Sequence, residues 1–200
     1  DQWRDWHALQ TPKDLLSGRY RVRIGLQGGN GDAGGPTSHA GTILAEIVVE
    51  GWARTFEVPP ISHPQAAQLG PAVRFLGYDM PETSVHPGNI LPLTLYWQAT
   101  AEAGASYTVF THLLDEGSVI WGQQDSIPGG GRQPTTGWTP DEVIVDEYQI
   151  PIGADAPAGA YVIEIGMYQA ETGQRLPVID DTGQALADHI VLDTGVLVTR

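Results

Sequence analysis

Nucleophilic catalysis needs a serine, threonine or cysteine set beside a base. The 200-residue sequence has no cysteine, no Gly-x-Ser-x-Gly elbow and six scattered histidines. His112 stands between Phe110 and Leu114 in an apolar run, the setting of a hydrogen-bonded, partly buried structural histidine. Carboxylates come as adjacent pairs: Asp115/Glu116, Asp141/Glu142, Asp146/Glu147 and Asp180/Asp181. Neighbours along a strand face opposite ways, so none of these pairs converges on a glycosidic bond. Gly28-Gly-Asn-Gly and Gly129-Gly-Gly-Arg lack the Lys-Ser/Thr that follows a phosphate loop and read as loop tips. No two histidines have zinc spacing. Asp180-Asp-Thr-Gly-Gln offers too few oxygens for an EF-type calcium loop. It and Asp141/Glu142 are the places where a surface calcium would sit. These residues predict no enzyme, no cofactor and no resident metal.

The stretch 124–142 carries more information. Nineteen residues without strand alternation exceed the usual connection in a compact domain. Such a loop is either functional or pinned by an aromatic anchor. Trp138 is the expected anchor, and it can cover one open end of the fold. Alternatively it serves, with Trp121, Gln123, Asp125 and Arg132, as a sugar-stacking platform: an aromatic face beside amide, carboxylate and guanidinium groups. Those five residues are the candidate ligand site.

The elements that must hold them read as strands. Leu91, Leu93, Leu95 and Trp97 alternate with Pro92, Thr94, Tyr96 and Gln98, which is period two with one apolar face and places Trp97 in the core. Tyr161, Ile163, Ile165 and Met167 repeat the pattern. Residues 106–114 are apolar on both faces, as a central strand is. Segments 73–79, 119–123, 143–150 and 190–199 complete the set, with turn chemistry at Asp115-Glu-Gly, Pro157-Ala-Gly and Glu171-Thr-Gly-Gln. Seven to eight strands without a helical period predict an all-β fold, an immunoglobulin-like antiparallel β-sandwich. A small closed barrel is the competing topology.

An internal repeat sets the domain organisation. At an offset of 141 positions, Asp5, Leu9, Asp14, Gly18, Tyr20, Ile24, Gly25 and Leu26 fall on Asp146, Ile150, Asp155, Gly159, Tyr161, Ile165, Gly166 and Met167. Glu46-Ile-Val-Val-Glu then matches His189-Ile-Val-Leu-Asp. Residues 1–58 therefore read as the C-terminal strands of a first module, 59–72 as a proline-bounded linker, and 73–200 as one complete module. The half module leaves an apolar face and an edge open. It is expected to pack on the complete module or to be completed by a neighbouring chain, which makes self-association an expectation too.

Charge excludes some partners. The net charge is −14 with a single lysine, Lys13, and only 17% of residues are charged. Residues 1–60 carry six basic and seven acidic side chains; the remainder carries four and seventeen. So acidic a surface repels phosphate backbones and anionic bilayers. No run approaches the ~20 apolar residues that span a membrane. The polar opening Asp-Gln-Trp-Arg-Asp-Trp is no signal peptide and reads as a cut within a longer protein.

Five motifs in order carry a family resemblance. They are Phe75-Leu-Gly-Tyr-Asp, Val85-His-Pro-Gly-Asn-Ile-Leu-Pro-Leu-Thr-Leu-Tyr-Trp-Gln-Ala, Tyr107-Thr-Val-Phe-Thr-His-Leu-Leu-Asp, Pro134-Thr-Thr-Gly-Trp and Ala158-Gly-Ala-Tyr-Val-Ile-Glu-Ile-Gly-Met-Tyr. Together they resemble a bacterial β-sandwich module, often found in tandem. It follows the membrane region of glycosyltransferase-like proteins of the mannosyltransferase type and also occurs in exported proteins. The resemblance covers residues ~73–180, and 5–27 through the repeat. It implies an extracytoplasmic, non-catalytic accessory domain of a larger membrane-anchored protein, with a glycan or another envelope protein as partner. It carries over no catalytic residue.

Overall fold

The computed structural model describes Leu15, residues 17–24 and residues 42–200. The chain forms two compact units, residues 1–53 and 54–200.

In the first unit, β1 (Gly18–Ile24) pairs antiparallel with β2 (Thr42–Val49). Alternation sends Arg19, Arg21 and Arg23 to one face of β1 and Tyr20, Val22 and Ile24 to the other. On the polar face Arg21 meets Glu46 at 3.1 Å. Both expected strands of this half are present. Asp5, Leu9, Asp14, Gly25, Leu26 and the Gly28 loop lie outside the described residues.

The second unit runs β3 (His63–Leu69), β4 (Val73–Asp79), β5 (Ser84–Val85), β6 (Ile90–Ala99), β7 (Thr108–Leu114) and β8 (Ile120–Gln123). A 3-10 turn (Thr135–Gly137) interrupts the long loop before β9 (Val143–Pro151) and β10 (Gly159–Tyr168). Four short strands follow: β11 (Val178–Ile179), β12 (Ala185–Ala187), β13 (Ile190–Val191) and β14 (Val196–Val198). One sheet has the order β12-β11-β3-β4-β6-β9; the other has β5-β14-β10-β7-β8, with β13 also on β10. All pairs are antiparallel except β14 with β5. The chain is an immunoglobulin-like β-sandwich.

Period-two burial drives this arrangement. Leu91, Leu93, Leu95 and Trp97 of β6 face Ile163, Ile165 and Met167 of β10 across the interior, all buried. At roughly 25 cal/mol per Å² such a core outweighs what any single polar contact supplies. The Phe75 and Trp97 rings pack at 5.0 Å. Tyr161, the third residue of β10, donates its hydroxyl to the Pro157 carbonyl at 2.8 Å, the corner that fixes strand entry in this fold.

Two expectations need correction. Residues 59–72 are not a bare linker, because 63–69 form β3 on the edge of β4. Its alternation is carried by alanine, glutamine and proline, so hydropathy hides it. Pro64 is tolerated where the register shifts, opposite Gly77 at φ +140°. Any Cβ at Gly77 would lie 2.4 Å from the His63 carbonyl. His63 stacks on Tyr78 at 4.8 Å. Gln65 reaches across the layers, donating to the Val191 carbonyl at 2.8 Å and accepting from the Asp193 amide at 3.3 Å. The expected last strand, 190–199, is in fact two pieces, β13 and β14.

The unit also begins before β3. Thr55 bridges to Val143. Arg54 reaches the fully buried Glu142, and also donates to the Gly137 carbonyl at 3.1 Å and the Thr139 hydroxyl at 3.3 Å.

Candidate functional site

The five candidate residues do not converge. Trp138 is 1% exposed, and its indole N–H donates to the Gln133 carbonyl at 2.8 Å inside the loop. No face of the ring is left for a ligand, so it is the anchor of loop 124–142 and not a platform. Arg132 stays on the loop tip, its Nε 3.5 Å from the Gly129 carbonyl. Asp125 turns toward β7 and β10, where it accepts from Tyr168 at 3.2 Å and lies 3.7 Å from His112 Nε2.

Trp121 and Gln123 do share a surface. They line a shallow groove of about 400 Å³ with Gly122, Pro151, Ile152 and Gly153. The groove forms where the end of β8 crosses the end of β9. Gly122 bridges Ile152 there, and the Gly153 amide donates to the Trp121 carbonyl at 2.6 Å. A Cβ at Gly122 would come within 2.9 Å of the Pro151 carbonyl, so only glycine lets the backbones meet. Trp121 is half-buried and held in one orientation. Its indole N–H donates to Asp115 Oδ2 at 2.9 Å. Asp115 Oδ1 in turn accepts from the Gly117 and Val119 amides, each at 2.9 Å. These bonds hold the Asp115 carboxyl below its usual range, the Val119 amide foremost. The arrangement offers a rigid aromatic wall, a side-chain-free glycine floor and an amide at one end.

The buried acids are committed to the loop. Asp146 of β9 is 1% exposed and faces the interior. Its Oδ2 accepts from Tyr148 at 2.7 Å and from the Trp97 indole at 3.3 Å; its Oδ1 accepts from the Gly129 amide at 2.9 Å. Burial lifts its pKa, against the pull of the Tyr148, Gly129 and Trp97 hydrogen bonds. Glu142 Oε2 accepts from the Thr139 amide at 2.9 Å and hydroxyl at 3.1 Å, besides Arg54. Both carboxylates act as staples for residues 124–142. The proposed calcium positions fare similarly. Asp180 Oδ1 accepts from the Thr182 amide and hydroxyl and from the Gln184 amide, so its own turn uses it. Glu142 is inside the protein. Among the described residues no three His, Asp or Glu side chains cluster as metal ligands.

A polar cluster that sequence reasoning missed lies on the outer face of β7 and β10. Phe110 lies against Gly166, where a Cβ would meet its ring at 2.5 Å. The Arg175 guanidinium caps the same ring at 4.3 Å and pairs with Glu164 at 2.9 Å. His112 packs beside Phe110 at 4.9 Å, and burial depresses its pKa. The cluster closes over the aromatic ring and leaves no entry. A second open groove, about 690 Å³, runs past Gln68, Arg74, Thr100, Asp180 and Asp181 without any aromatic wall.

No protein-family model matches the sequence, and no curated protein matches it. Several solved structures resemble it. The C-terminal domain of wzt matches with a TM-score of 0.46 at 11% identity, over 71% of this chain and 83% of that one. The CARDB domain of the PF1109 protein from Pyrococcus furiosus, solved with di-metal ions, matches at 0.35 and 10%, over 72% and 96%. A Niemann-Pick type C2 protein from the Japanese carpenter ant matches at 0.37 and 7%, over 72% and 100%.

Proposed function

We propose that residues 54–200 are a non-catalytic binding module of a larger extracytoplasmic envelope protein, accessory to glycan handling, and that glycan meets it at Trp121. The observation that carries this reading is the pinned indole: Asp115 fixes Trp121 at the rim of an open groove with Gln123 beside it. A preset aromatic face recognises the apolar side of a pyranose ring at little entropic cost, and the amide reads a hydroxyl. The interior carboxylates support the non-catalytic part, since Asp146 and Glu142 have their oxygens engaged by loop donors. The envelope setting rests on the resemblance of the five motifs. A net charge of −14 favours neutral glycans over anionic ones.

The test is affinity electrophoresis and titration calorimetry of the chain against neutral and acidic polysaccharides. Trp121→Ala should lower affinity about threefold to tenfold, the worth of ~0.5–1.5 kcal/mol for one aromatic contact. Trp121→Phe should retain most of it, and both variants should stay folded by circular dichroism, at a lower urea midpoint because each loses the indole bond to Asp115. Unchanged binding by Trp121→Ala, or no binding to any polysaccharide, would retire the glycan reading.

A further inference from the structure

The groove of about 690 Å³ has a floor set by strand register. Ile179 of β11, Gln68 of β3 and Arg74 of β4 pair in one row across the sheet. Their neighbours Leu69, Val73 and Phe75 are buried, so alternation sends Gln68 and Arg74 outward. One wall is the Asp180–Gly183 turn. The other is made by Pro71 and Thr100, where the Thr100 hydroxyl donates to the Pro71 carbonyl at 3.1 Å. Ala66 and Ala67 add only methyl groups to the lining.

The groove holds charges that the fold does not use. Arg54 and Arg175 each grip a carboxylate, and Arg132 bonds its own loop. Arg74 has no hydrogen bond, ion pair or ring contact among the described residues. Asp181, exposed in the facing turn, is equally unengaged. Its neighbour Asp180 gives Oδ1 to Thr182 and Gln184, and those bonds, the Thr182 hydroxyl foremost, hold the carboxyl below its usual range. Between the two signs stands Gln68. Its Nε2 donates to the Gly70 carbonyl at 2.9 Å and to the Thr100 hydroxyl at 3.2 Å, which leaves Oε1 as a fixed acceptor.

The order of these groups defines a ligand. Arg74 and the acidic turn belong to β4 and β11, two strand steps apart, or roughly 10 Å. A carboxylate satisfies the guanidinium with two parallel bonds. An ammonium meets Asp181, and an amide N–H midway meets Gln68 Oε1. An extended chain of three amino acids spans ~10 Å. No aromatic side chain lines the groove, so nothing stacks on a sugar ring. The acidic field of the protein disfavours a ligand of net negative charge, and a zwitterion carries none. We propose that this groove is a second binding site, sharing no residue with the Trp121 groove, that takes short zwitterionic peptides by their charged ends, the carboxylate on Arg74 and the amine on Asp181.

Tri-alanine is the probe, titrated into the 1–200 chain by calorimetry and followed by amide chemical shifts. Blocking either end should weaken binding about tenfold, since the C-terminal amide forfeits Arg74 and the N-acetyl form forfeits Asp181. Arg74→Gln should bind tri-alanine and its amide alike, and Asp181→Asn should bind tri-alanine and its N-acetyl form alike. Both side chains are exposed and unbonded, so both variants should keep the wild-type urea midpoint. Trp121→Ala should bind tri-alanine as the wild type does, which separates this test from that of the glycan reading. No binding of tri-alanine, blocked forms that bind as well as the free peptide, variants that still discriminate against the blocked forms, or weaker binding by Trp121→Ala would overturn the proposal. Glucuronate or glucosamine bound in an Arg74- or Asp181-dependent way more tightly than tri-alanine would assign the groove to a charged sugar and overturn it too.

Discussion

Asp146 places a carboxyl group where an aliphatic side chain would ordinarily stand. Its three donors come from β6, β9 and the 124–142 loop, so one residue ties the loop to both strands. The cost is the charge. Burial raises its pKa above the ordinary ~3.9. A carboxyl that holds its proton more tightly when folded gives stability that is complete below the unfolded pKa. That stability is lost as pH rises through the folded pKa. Asp146→Asn removes the ionisation and leaves the shape. Urea midpoints of both forms, taken from about pH 3.5 to 7, should show the wild type losing ground to the variant as pH rises. Parallel curves would mean that Asp146 does not titrate in that window. Little of this was legible beforehand. Asp146/Glu147 reads as an ordinary adjacent pair, because two of the three groups that engage Asp146 lie 49 and 17 residues away in sequence.

Among the elements, legibility followed alternation. β4, β6, β9 and β10 have clean period-two patterns, and their expected bounds fall within two residues of those observed. β3 was hidden because its polar side chains act singly: His63 on Tyr78, Gln65 on β13. β1 and β2 lie where the Gly-x-Tyr motif and the Ile-Val-Val run point to strands. Of the ligand site, the pairing of Trp121 with Gln123 could be read from their spacing on one strand. The burial of Trp138 turned on loop geometry that spacing does not encode. The β7–β10 contact also depends on one missing side chain. Gly166→Ala would drive a methyl into the Phe110 ring, the ring that Arg175 caps. A loss of roughly 1–3 kcal/mol is expected by urea denaturation. Phe110→Leu should then cost less in the Gly166→Ala background than alone, a non-additivity that marks direct contact.

For the whole molecule, the boundary at Ala53/Arg54 has practical weight. A fragment of residues 54–200 retains both sheets, β3 and the Arg54–Glu142 pair. It should fold in one cooperative transition. A fragment of residues 73–200, cut where the sequence suggested, lacks β3 and leaves Glu142 buried without its cation. Breaking one partner of such a pair costs about 3–5 kcal/mol, and a domain has only ~5–15 kcal/mol to lose. Circular dichroism and size exclusion should find the 73–200 fragment unfolded or aggregated. A well-folded fragment would show that neither β3 nor Arg54 is needed.

Arg54 also determines how this body would bear tension. Its guanidinium is gripped by Glu142, Gly137 and Thr139 at the first residue of the unit. At the opposite terminus β14 is flanked on both sides, by β5 and β10. A pull along the polypeptide therefore meets an ionic clasp at one end and a doubly bonded strand at the other before it reaches the hydrophobic interior. A sandwich fastened this way resists extension at both ends, and single-molecule pulling should find one high-force rupture for residues 54–200.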